Sequence, residues 1–162
     1  MISKTKSFAG ALALLALAFA PAGPSLGAGA GAHSHATEAA APLEVKLNNG
    51  QRWQSDEPLR KGMSTIRTDI AAALPKIHKG KFTQKQYAAL AGKVHGQIDY
   101  VVGNCKLPEE ADLVLHGILE HIIAGADELK TKGSAAGALT IVKALNVYGQ
   151  SFDHPGWKPI AH

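Results

Sequence analysis

Cysteine is almost absent from this chain: Cys105 stands alone among 162 residues, so no disulfide can form within it. Aromatic residues make up 6%, and they do not alternate with basic residues as a stacking platform for single-stranded nucleic acid requires. No run of lysine and arginine forms a stripe that could track phosphates, which excludes nucleic acid as a partner. Glycine-rich phosphate loops and the nucleophile elbow G-x-S-x-G are missing. So are the C-x-x-C-H haem attachment motif and the Glu-x-x-His pairs of di-iron bundles. No nucleophile sits beside an evident base, so the chain does not read as an enzyme.

Only one long apolar run exists, Ser7 to Ala20, preceded by Lys4 and Lys6 and followed by small residues at A-x-A spacing. These are the three regions of a signal peptide. The run is shorter than the roughly 20 residues of a membrane anchor, and no second one follows. Residues 1–32 are therefore expected to be removed on export, leaving a soluble protein of the periplasm. No cysteine near the cleavage region could carry a lipid. Loss of the two lysines takes the basic count from 17 to 15 against 13 acids, a net charge of +2. The remaining 130 residues suit one domain with a single core.

Residues 33–55 read as a flexible, alanine-rich leader containing an extended piece, Leu43 to Leu47, that stops at the turn Asn48-Asn49-Gly50. The bundle proper is expected over 56–157. Asp56 caps a first helix, with Glu57 and Pro58 in its first turn. Its apolar face is Leu59, Met63, Ile66, Ile70 and Leu74, and Pro75 with Gly80 should kink or end it. Thr83 and Gln86 make a capping box for a second helix, and Phe82 can staple onto Tyr87. That helix buries Tyr87, Leu90, Val94, Ile98, Val101 and Cys105. A third helix spans about 109–130 with Asp112, Leu115, His116, Leu119 and Ile122 on its inner stripe. A fourth follows the cap Ser134, carries Leu139, Val142, Leu145 and Phe152, and stops at Asp153-His-Pro-Gly156. Short connectors make consecutive helices antiparallel, which gives an all-α, up-down-up-down four-helix bundle.

In that topology Met63, Cys105 and His116 fall near one pole. At 1.5 Å per residue, Met63 lies roughly 9 Å and His116 roughly 10 Å into their helices, with Cys105 nearer the rim. Thiolate, thioether and imidazole together suit copper, above all Cu(I). His154 is a candidate fourth ligand at the same pole, and Asp112 and Glu120 could orient the His116 ring. The competing readings are a methionine that only fills core, a satisfied histidine, and a cysteine that is inert or joins two copies into a dimer. His78, His95 and His121 read as surface or flanking residues. A separate site is expected at the new amino terminus. Cleavage before His33-Ser34-His35, or two residues earlier, puts a histidine third from a free amine, which suits square-planar Cu(II) or Ni(II).

Three stretches carry a resemblance: Leu59-Arg-Lys-Gly-Met63 with Ile66-Arg67; Asn104-Cys-Lys-Leu-Pro108 with Ala111-Asp112 and Leu115-His116; and Tyr148 with Phe152-Asp-His-Pro-Gly-Trp157. Over roughly residues 47–157 the chain resembles small exported proteins labelled DnrO-type, a name that implies an association with denitrification. The bundle is also similar to cytochrome b562, in which a methionine early in the first helix and a histidine late in the fourth hold haem. This chain has no histidine in its fourth helix before His154, which leaves noncovalent haem b as the alternative cofactor. The expected function is thus a periplasmic copper-binding bundle for metal handling or electron transfer, with a redox or metal-delivery protein as partner. A metal-free interaction or redox-sensing protein is the alternative from another class.

Overall fold

The computed structural model describes residues 42–161. The expected signal peptide, the first part of the leader and the His33/His35 site lie outside the described residues. Four helices dominate: α1 (Glu57–His78), α2 (Gln84–Asn104), α3 (Glu109–Lys132) and α4 (Ala135–Ser151). None of them is long and apolar enough to cross a membrane. Two short strands, β1 (Trp53–Gln54) and β2 (Phe152–Asp153), pair in parallel with Trp53 opposite Phe152.

Each helix begins or ends where local chemistry demands it. Asp56 is extended and its side chain accepts from the Leu59 N–H, while Pro58 occupies a first-turn position where its missing N–H costs nothing. Thr83 and Gln86 complete the capping box, and the Phe82 ring meets the edge of Tyr87 at 4.9 Å between centroids. Pro75 does not end α1. Buried Ile77 lies beyond it, and the helix runs on to His78. Gly80, at φ 63°, then turns the chain, donating its N–H to the Ile77 carbonyl. Ser134 is extended ahead of α4 but makes no side-chain cap; its hydroxyl hydrogen-bonds Glu128 instead.

The helices pack in a ring of consecutive neighbours, closed by α1 against α4. Cross-helix bonds set the direction: Asp56 at the start of α1 meets Lys106 just past α2, whereas Asp69, further along α1, meets Lys93, earlier in α2. Gln84 at the start of α2 bonds the Lys130 carbonyl near the end of α3. These pairings make neighbours antiparallel, so the starts of α1 and α3 share a pole with the ends of α2 and α4. The apolar stripes meet along the axis, where Leu59, Met63, Ile66 and Ile70 of α1 are fully buried against Ile122, Leu129, Ile141 and Leu145. A porphyrin placed between the helices would have to displace these side chains.

The last part of the expected leader is not free of the bundle. Leu43 and Trp53 pack against the core, and the Trp53 indole donates to the Lys46 carbonyl at 3.1 Å. β1 then adds to the end of α4 through β2, a pairing that two-residue strands give no period to reveal.

Candidate functional site

The pole shared by the start of α1, the end of α2 and the end of α4 carries a connected set of polar groups. Asp56 is its hinge. Besides capping α1, its Oδ1 lies 3.4 Å from the Cys105 thiol, which donates to it, and its Oδ2 accepts the Lys106 N–H at 2.6 Å. Desolvation pushes the Asp56 carboxyl up, but the Lys106 and Leu59 N–H groups, the thiol and nearby Arg60 outweigh it and hold the group below its ordinary value. The Cys105 thiol moves the opposite way. Burial, then the negative charge of Asp56 and the hydrogen bond to it, push the thiol up to about 12. At neutral pH Cys105 is therefore a protonated donor tying α2 to α1.

A second chain of bonds runs from α4 to α1. The Tyr148 ring is fully buried, stacked on Phe152 at 5.4 Å and edge-on to Trp157 at 4.8 Å. Its hydroxyl lies 2.9 Å from His154 Nδ1, and His154 Nε2 lies 3.2 Å from the Ser64 hydroxyl. Desolvation and then the positive charge of Arg60 lower the His154 pKa, against an opposing pull from Asp153. The ring is thus neutral at pH 7, donating from one nitrogen and accepting at the other. Tyr148 is raised, first by burial, and feels both Cys105 and Asp56 electrostatically. Ser55 completes the cluster: its side chain hydrogen-bonds Tyr148 and donates to the Asp153 carbonyl, and Arg60 donates to the Ser55 carbonyl.

The structure treats the expected ligands unequally. Met63 is fully buried in the core. Cys105 is half-buried at the pole and bonded to Asp56, and His154 lies at the same pole, bonded to the hydroxyl of Tyr148. His116 is not on the inner stripe: its side chain is 60% exposed, with Nδ1 at 2.9 Å from the Asp112 carbonyl and 3.3 Å from Asp112 Oδ2. The stripe of α3 instead runs through Ala111, Leu115, Ile118 and Ile122, a rotation that carries residue 116 outward. Asp112 does touch His116 as expected, whereas Glu120 is exposed and makes no hydrogen bond among the described residues. Among the described residues, no three histidine, cysteine, aspartate or glutamate side chains converge on a point that could hold a metal ion. A bundle site would therefore take its donors from Cys105 and His154, with the carboxylate of Asp56 beside the thiol.

Sequence reasoning missed Tyr148 and Ser64 and saw in Asp56 only a helix cap. The signal for Asp56 was available, because an acidic cap on α1 and the end of α2 meet in any antiparallel pairing. No family model, curated protein or solved structure matches the chain.

Proposed function

We propose that the chain is an exported metal-handling bundle of the periplasm that binds one soft ion, copper as Cu(I), through Cys105 and His154. The observation that carries this reading is that one pole of the bundle holds both a half-buried thiol, bonded to Asp56, and a neutral imidazole, bonded to the Tyr148 hydroxyl, with Tyr148 feeling the charge of Cys105 and Asp56. Thiolate and imidazole favour copper over hard cations. The ion must displace the thiol proton, which ions of high thiolate affinity do. The same protonated thiol is a poor redox sensor, since the thiolate is the reactive form. That contrast favours metal handling over the metal-free alternative. His33 and His35 serve as a second, Cu(II)-type site once the signal is removed, and a delivery protein is the expected partner.

Anaerobic titration of the processed protein with Cu(I) against a coloured chelator tests the proposal. One equivalent should bind at the bundle. Cys105→Ser, which keeps a donor for Asp56, should abolish it, whereas His116→Ala should leave it intact. Stoichiometric bundle binding that survives Cys105→Ser, or that disappears with His116→Ala, would reject the assignment.

A further inference from the structure

On the flank of the bundle away from Cys105, the chain after β2 returns along α1 as a strap and encloses an open cavity of about 530 Å³ between Arg67 and Ala161. That volume lies within the roughly 300–1,000 Å³ of small-molecule sites. The strap is held at several points. Arg67 Nε donates to the Lys158 carbonyl at 2.5 Å, and Ile160 exchanges two hydrogen bonds with the Asn146 side chain, at 2.9 and 3.0 Å. The cavity is thus formed before any ligand arrives.

Its chemistry is divided. Ala71, Leu74, Pro159 and Ile160 supply an apolar wall, and the polar lining is Arg67, His78 and Lys79. Among the described residues no carboxylate lines it. Arg67 is placed for a ligand: the bond to Lys158 and the Trp157 ring, 5.9 Å from the guanidinium carbon, fix the side chain. Its two terminal nitrogens have no hydrogen-bond or ion-pair partner among the described residues. A fixed guanidinium with both terminal nitrogens free matches the two oxygens of a carboxylate.

We propose that this cavity binds a small aliphatic carboxylate, its head paired with Arg67 and its tail laid on Ala71, Leu74 and Ile160. The site is separate from the Cys105 pole and does not depend on metal binding there. Charge and tail are both required, because half-buried Arg67 alone, still open to water, would hold acetate only weakly and the apolar wall alone offers no orientation.

Calorimetric titration of the full processed protein with decanoate, decanol and acetate, below the micellar range, separates the two contributions. Decanoate should bind saturably with one site, and decanol and acetate at least about ten-fold more weakly, the loss of a charge-assisted pair or of the tail. Arg67→Met keeps the aliphatic stem and should cost decanoate about ten-fold or more while leaving decanol unchanged. Ala71→Phe should fill the cavity and weaken decanoate and decanol alike, with the thermal transition of each variant confirming its fold. Cys105→Ser should bind decanoate as the native chain does, so failure here and failure of the metal assignment are told apart. Equal affinity for decanoate and decanol, native affinity in Arg67→Met, or no saturable decanoate binding would overturn the proposal.

Discussion

Asp56 shows how much structure one carboxylate can organise. It accepts from the Leu59 N–H, the Lys106 N–H and the Cys105 thiol, so its removal uncaps α1 and unties α2 at once. Loss of an N-cap alone costs about 0.5–2 kcal/mol, and leaving the Lys106 N–H unmatched adds a further cost. Asp56→Ala should therefore lose about 2 kcal/mol in urea unfolding. Cys105→Ala removes only the weakest of the three donors and should lose under about 1 kcal/mol. Both changes delete the same bond, so the double variant should sit close to Asp56→Ala alone. Full additivity would mean that the thiol is held by packing instead.

At the scale of elements, glycine decides how closely helices approach. A Cβ on Gly137 would lie 2.5 Å from the Gly125 carbonyl oxygen and 2.9 Å from the Leu129 nitrogen, and one on Gly125 would lie 2.7 Å from the Gly137 carbonyl. The backbones of α3 and α4 therefore touch at this crossing. Gly96 on α2 has nothing within 4 Å. Alanine is favoured over glycine in a helix interior by about 1 kcal/mol, so Gly96→Ala should stabilise by roughly that amount. Gly137→Ala should destabilise by about 1–3 kcal/mol, because helices forced apart lose packing along their whole length. Thermal unfolding of the two variants checks the opposite signs.

The elements were also where the sequence spoke most clearly. Caps at Asp56 and Thr83, the apolar spacing of α1 and α2, and the short connector at Lys106-Leu107-Pro108 gave four helices and their order, because each signal is local. The candidate site was less legible because its groups are brought together by tertiary register. On α3, choosing between 112/116 and 111/118 as the inner face is a rotation that a mostly apolar helix leaves open, and it moved His116 to solvent. Tyr148 stood outside the apolar stripe expected for α4, and only the return of the chain after β2 reveals that its hydroxyl meets His154. The strap and its cavity likewise arise from the fold of residues 154–161, which have no periodicity of their own.

For the whole molecule, the polar pole sets the pH range over which the bundle is stable. His154 is depressed in the folded state by burial and by Arg60. As pH falls below its ordinary 6.5, the unfolded chain takes up a proton that the folded chain resists, and stability drops. Asp56 adds a second loss at lower pH, since its contribution persists above its ordinary 3.8 and fades as pH falls through its lower folded value. On the alkaline side the order reverses. Unfolded Cys105 ionises from its ordinary 9.0 while the folded thiol holds its proton to about 12, so stability declines as pH rises above 9, and raised Tyr148 extends the decline. The unfolding temperature of the metal-free protein should thus plateau between about 6.5 and 9 and fall on both sides. His154→Gln should flatten the limb between pH 5 and 6.5, and Cys105→Ala should flatten the start of the alkaline limb. An unchanged acid limb in His154→Gln would show that the ring is not held neutral at this pole, and the Tyr148–His154–Ser64 chain would lose its role in joining α4 to α1.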